Sequence, residues 1–232
     1  VKFGGVLLKL KFLASAGTMF VSVLAYTLFY GWRFAVGLVA LIAVHELGHV
    51  YALRRRGIAA GLPVFLPFLG AFVQMKESPR SVYVEAETAL AGPAIGALGA
   101  LAVAVAADMT GSGLLRALAF TGFLLNLFNL LPALPLDGGR AAAALHPAIW
   151  WLGLAMVLAW EIVSPHPVLL LILVLGGFEA YRRWRHRHDP ASTAYFLLTS
   201  QERWRIGGAY LGLIAVLAVA TALAYVPRSL PS

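Results

Sequence analysis

The chain has 232 residues, of which 61% are hydrophobic and 12% charged, against roughly 45–50% and 25% in soluble domains. With a mean hydropathy of +0.83, this composition excludes an ordinary soluble domain and describes an integral membrane protein. The net charge of +8 does not point to nucleic acid, because the basic residues are strung between apolar stretches instead of lining one face. Cysteine is absent, which excludes disulfides, thiolate metal sites and a cysteine nucleophile, so any metal must be held by His, Asp or Glu.

Seven apolar segments approach the length needed to cross about 30 Å of hydrocarbon: 12–30, 32–53, 88–107, 114–131, 148–163, 167–181 and 206–226. The basic start followed by segment one superficially resembles a signal peptide, but the run is too long and lacks a small-residue exit, so an uncleaved first span is expected. With the N-terminus in the cytoplasm, 15 of the 18 Lys and Arg residues fall inside, leaving Arg33, Arg116 and Arg228 outside. The expected fold class is therefore an all-α polytopic membrane protein of six to seven transmembrane helices.

Segment two carries His45-Glu46-Leu47-Gly48-His49. Histidines four apart lie about 40° from each other around a helix, one turn along it, so both imidazoles can reach one ion. His-Glu-x-x-His gives Zn²⁺ two nitrogen ligands and places the glutamate as general base. Ionisable groups inside a span are costly and mark function. His49 lies five residues before Arg54, about 8 Å from the cytoplasmic interface at 1.5 Å per residue, with His45 a turn deeper.

Residues 57–87 form neither a span nor a polar loop. Pro63 and Pro67 argue against helix, and the β-formers of 70–76 suit a strand. The expectation is a small β-hairpin or re-entrant element against the cytoplasmic face. Its strand, through Gly70, Phe72 and Gln74, offers an edge for an unwound substrate to pair with. Gly96-x-x-Gly99 in segment three reads as close helix packing, structural and not catalytic.

Segment four ends in Asn126-Leu127-Phe128-Asn129-Leu130-Leu131-Pro132-Ala133-Leu134-Pro135-Leu136-Asp137-Gly138-Gly139-Arg140, where two prolines and Asp-Gly-Gly break the helix. Broken backbone at membrane depth is tolerated where protein buries it or a wet cavity meets it. Running inward like segment two, this stretch brings Asp137 to the depth of the histidines as a third ligand, with a position left for water. His146, His166 and the run Arg182-Arg183-Trp184-Arg185-His186-Arg187-His188 read more simply as surface histidines and a juxtamembrane basic stretch against anionic lipid. Asp189-Pro190 fits the start of an interfacial helix running toward Arg205.

The His45–His49 motif, then Asn129-Leu130-Leu131-Pro132 and Leu136-Asp137-Gly138-Gly139-Arg140, resembles the site-2 protease family of intramembrane zinc metalloproteases. The likeness extends to Gly70–Met75, to Ala91-Gly92-Pro93 and to Gln201-Glu202-Arg203 with the glycine-rich helix after it. It implies His45, His49 and Asp137 as ligands of one Zn²⁺, Glu46 as the base, and Asn129 as the residue that steadies substrate or the tetrahedral intermediate. Within these residues there is no PDZ-like insertion and no C-terminal regulatory domain, which bears on substrate selection and not on the chemistry.

The resulting expectation is one integral membrane domain over 1–232. Its catalytic core spans 32–140, followed by accessory spans over 141–232 with a basic cytoplasmic loop at 181–205. The implied activity is cleavage of transmembrane protein substrates within the lipid bilayer near the cytoplasmic face, in regulated proteolysis. Two alternatives stay open: clearing of signal-peptide remnants, or a catalytically silent adaptor of the same fold. Ala-, Leu- and Arg-heavy usage points to a prokaryotic cell membrane. The substrate, a regulator, an upstream site-1 protease and the oligomeric state are left open.

Overall fold

In the computed structural model, residues 2–225 are described, with side chains from Phe12 onward. Val226 at the end of segment seven and Arg228 of the charge count lie outside the described residues. Helices α1 (Lys2–Tyr30) and α2 (Trp32–Arg55) are joined at Gly31, whose φ of 79° is open to glycine at no steric cost and reverses the chain in one residue. Strands β1 (Ala60–Leu66) and β2 (Gly70–Met75) follow, then α3 (Val82–Thr110), α4 (Gly113–Asn129), α5 (Asp137–Ala143), α6 (Ile149–Val163), α7 (Pro167–Arg185), α8 (Pro190–Tyr195) and α9 (Ser200–Ala224).

The starts are locally encoded. Ser81 and Ser112 accept from the third backbone N–H of α3 and α4, and Thr199 with Glu202 closes a capping box on α9. Asp189-Pro190 does open α8, but that helix ends at Tyr195, and Arg203 and Arg205 belong to α9. The expected interfacial helix is cut short because Thr199 starts the next one.

The structure is mostly helical with one two-stranded antiparallel sheet. Among the described residues, four helices are long and apolar enough to cross a membrane: Phe12–Tyr30, Trp32–Arg55, Val82–Thr110 and Ser200–Ala224. The count of six to seven is not reached on that criterion. Gly113–Asn129 and Ile149–Val163 are apolar but shorter; 17 and 15 residues give about 25 and 23 Å of helix. Helix α7 ends in Arg182, Arg183 and Arg185.

The element at 57–87 is both a hairpin and re-entrant. Its register pairs Pro63 with Val73, Val64 with Phe72, Phe65 with Ala71 and Leu66 with Gly70. Strand β1 and the hairpin tip lie alongside α1. The Ser15 hydroxyl donates to the Pro63 carbonyl at 2.6 Å, the Phe65 N–H donates to the Thr18 hydroxyl at 3.2 Å, and the Phe68 N–H donates to the Tyr26 hydroxyl at 3.1 Å. From Ser15 to Tyr26 is about 16 Å of helix. At the tip, the Phe68 ring meets Tyr26 and Phe29 edge-on, with centroids 5.2 and 5.4 Å apart. Backbone polar groups at this depth need protein partners, and the hydroxyls of α1 supply them.

The break between α4 and α5 is enclosed in the same way. Trp150 of α6, fully buried, donates from Nε1 to the Gly139 carbonyl at 2.8 Å, and Tyr210 of α9 donates to the Leu130 carbonyl at 2.6 Å. A Cβ at Gly138 would overlap the Leu130 carbonyl, and Cβ atoms at Gly153 and Gly176 would overlap the Pro132 and Leu134 carbonyls. Glycines on α5, α6 and α7 therefore let three elements close around the broken backbone. On the rim, Glu85 of α3 receives a bidentate pair from Arg183 at 3.1 Å and a hydrogen bond from Tyr195 at 2.6 Å. Burial and the adjacent Glu85 carboxylate push the Tyr195 phenol well above its usual range, so it stays a donor.

Candidate metal centre

Helix α2 presents His45 and His49 one turn apart, and the first residue of α5 presents Asp137 to them. His45 Nε2 and Asp137 Oδ2 lie 3.1 Å apart, His49 Nε2 and His45 Nε2 3.1 Å, and His49 Nε2 and Asp137 Oδ2 3.2 Å. Three ligands placed tetrahedrally about a zinc ion at about 2.0–2.1 Å would be separated by about 3.3–3.4 Å. The triangle is within a few tenths of an ångström of that, and the nitrogen–nitrogen–carboxylate donor set suits zinc. His45 is 2% exposed, whereas His49 and Asp137 are partly exposed and line the adjoining cavity.

Each histidine is fixed from behind. His45 Nδ1 pairs with Asn126 Oδ1 at 2.7 Å, and His49 Nδ1 with the Thr88 carbonyl at 2.9 Å. A carbonyl oxygen can only accept, so both Nδ1 atoms are donors and both Nε2 lone pairs face the triangle. Helix α3 passes close beneath the rings. A Cβ at Gly92 would lie on the His49 ring and 2.9 Å from His45 Nε2, and a Cβ at Gly48 would overlap the Ala91 carbonyl.

Glu46, 6% exposed, and Asn129, half-buried, line the same cavity of about 540 Å³ as the two histidines and Asp137. Its far walls are β2 and one face of α7, including Leu171 and Leu175. Of the strand residues singled out in the sequence, Gly70 and Phe72 line this cavity, whereas Gln74 lies outside its lining. His146 and His166 cap local turns, accepting from Ala148 N–H and Val168 N–H. His186 pairs with Asp189 at 3.0 Å on the surface. Sequence reasoning missed Asn126, Thr88, Gly92 and Arg140, of which Thr88 and Arg140 also line the cavity. Asn126 is the one that left a signal, a polar side chain inside an apolar span four residues after a glycine.

Residues 33–119 match the sequence profile of peptidase family M50. Over that stretch, 87 of the 232 residues, the chain is similar to that family. The match takes in the helix of His45, Glu46 and His49, the hairpin and α3, and ends before Asn129 and Asp137. Among similar proteins, zinc metalloprotease MJ0392 of Methanocaldococcus jannaschii is 28% identical over 129 residues, covering 53% of this chain and 37% of that protein. Rip3 of Mycobacterium tuberculosis, which bears a zinc metalloprotease name, is 36% identical over 118 residues, 47% of this chain and 30% of its own. The similarly named sll0528 of Synechocystis is 29% identical over 122 residues, 50% of this chain and 31% of its own. The chain thus spans about a third of the length of these relatives.

Proposed function

We propose that this chain is an intramembrane zinc endopeptidase that hydrolyses peptide bonds within or beside transmembrane segments of other membrane proteins, near the cytoplasmic face. The observation that carries the reading is the triangle of His45, His49 and Asp137 beside Glu46 in a cavity walled by spans and a hairpin. Zinc held there supplies a Lewis acid that polarises the scissile carbonyl and makes water a better nucleophile near neutral pH.

The remaining work falls to the chain itself. Glu46 removes a proton from the attacking water and delivers it to the departing amine nitrogen. The Asn129 amide donates to the carbonyl oxygen as negative charge develops there, an effect worth about 3 kcal/mol in other hydrolases.

A substrate helix must unwind before its amides can be reached, and the hairpin has a free edge for the unwound stretch. Pro63 and Phe65 spend their outward backbone groups on α1. Alternation then directs Val64 and Leu66 inward to Phe72 and Gly70, and it leaves the N–H and C=O groups of Ala71 and Val73 on the open edge of β2. Among the described residues no partner occupies them. A substrate strand added here gains main-chain hydrogen bonds beside Glu46 and the metal ligands. We place the chain in a prokaryotic cell membrane, N-terminus inside, acting in regulated proteolysis.

The test is zinc content and cleavage of single-span substrates in detergent, comparing wild type with Glu46→Gln. One zinc in each, with cleavage by wild type alone, supports the reading. Wild type purified without chelator and devoid of zinc overturns it.

A further inference from the structure

Helix α3 meets the metal centre with one face, through residues spaced by four: the Thr88 carbonyl behind His49, Gly92 beneath both rings, and Gly96 beneath Asn126. The last contact connects a motif read as mere packing to the site. A Cβ at Gly96 would land on the Asn126 carboxamide, with its carbon and nitrogen both 2.8 Å away. Asn126 is 1% exposed and uses both ends of its amide. Nδ2 donates to the Gly122 carbonyl at 2.7 Å while Oδ1 faces His45 Nδ1 at 2.7 Å. Turning the amide over would set an oxygen against the Gly122 carbonyl and an N–H against the N–H of His45. Its orientation is therefore fixed, and Asn126 presents an acceptor to His45 and nothing else.

We propose that Asn126 is a positioning residue of the metal centre. It holds His45 in the Nδ1-protonated tautomer, and Gly96 is the residue that admits it. This rests on the reading of the centre as a zinc site. Without the acceptor, His45 Nδ1–H is stranded among apolar helices, and the ring gains by moving its proton to Nε2, the atom that must stay bare to bind metal. Loss of such a partner behind a ligating histidine typically weakens metal binding about 10–100-fold. Neither Asn126 nor Gly96 is among the three candidate ligands, and Asn126 hydrogen-bonds only His45 and the Gly122 carbonyl, so both act through His45.

The experiment uses the full chain in detergent and measures zinc affinity by chelator competition. Nitrogen-15 spectra of labelled histidine report the ring tautomers before zinc is added. Asn126→Leu keeps the volume and removes the acceptor, and Gly96→Ala displaces the carboxamide. Each is expected to lose about 10–100-fold in zinc affinity and to show a new Nε2-protonated histidine. The double variant falls short of the product of the two, because both act on one contact. Phe123→Ala removes a buried ring from the same helix without touching His45, and is expected to lower the melting temperature while zinc affinity stays within about threefold of wild type.

Wild-type affinity and tautomer in Asn126→Leu overturn the proposal alone and leave the protease reading standing. An equal loss of zinc affinity in Phe123→Ala also overturns it, since general packing then explains the effect. A wild type that takes up no zinc overturns the proposed function itself.

Discussion

Gly92→Ala is a one-carbon change in a span, yet it is expected to cost the protein its metal. The new Cβ would lie 2.9 Å from His45 Nε2 and nearer still to the His49 ring, whereas relaxed carbon contacts begin at about 3.5 Å. The His49 ring must retreat by roughly 1 Å, half the length of a zinc–nitrogen bond of about 2.0–2.1 Å. Moving α3 away from α2 offers no escape, because it withdraws the Thr88 carbonyl that orients His49. Zinc in a four-ligand protein site is bound by about 10–16 kcal/mol, so one ligand represents roughly 3–4 kcal/mol, or about 10²–10³ in affinity. The assay is chelator competition on the purified chain, with helical content checked by circular dichroism. A Gly92→Ala variant that is folded and binds zinc within threefold of wild type would refute the geometry of the α2–α3 contact.

Three further outcomes are expected. Stripping zinc with a chelator should lower the melting temperature by roughly 5–10 °C, since ligand at about 100 times its dissociation constant contributes about 2.7 kcal/mol; an unchanged melting curve counts against a metal bound to the folded state. Val73→Pro removes an N–H that points to the open strand edge and should depress cleavage with zinc retained, while Phe72→Pro removes a bond of the hairpin itself and should lower stability; the reverse pattern would undo the register argument. Arg183→Met strands Glu85, which is 7% exposed, and should cost about 3 kcal/mol in thermal or denaturant unfolding. Adding Glu85→Gln should recover most of that loss, and no recovery would mean that the loss arises at Arg183's other partner, the Glu179 carboxylate 2.7 Å away.

The clustering of His45, His49 and Asp137 was legible because their spacing is itself geometry. Four residues on a helix fix His45 and His49 relative to each other, and a proline-broken helix end 88 residues further on has few reasons to keep a carboxylate at membrane depth. The hairpin was legible from Pro63 and Pro67, which deny helix, but its depth was not. Ser15, Thr18 and Tyr26 read as ordinary polar residues of a first span until β1 lies against them. Asn126, Thr88 and Gly92 stayed hidden for a related reason. Their roles depend on which face of α3 turns toward α2 and α4, and an apolar helix in a membrane carries no polar face to announce that rotation. The count of six to seven spans is not confirmed where helices are short. Gly113–Asn129 and Ile149–Val163 are apolar but shorter than the four spanning candidates, and the first runs into a broken stretch that Trp150 and Tyr210 enclose, a property of packing that hydropathy does not record.

The three hydroxyl contacts between α1 and the hairpin also restrict how the cavity can open. Drawing α1 outward would tear Pro63, Phe65 and Phe68 from their partners at a depth where lipid offers no replacement, at several kcal/mol per stranded group. The first helix therefore carries β1 with it, and the shared ladder carries β2. Any swing that admits a substrate on that side also re-aims the strand that would grip it, so entry and presentation are a single mechanical coordinate.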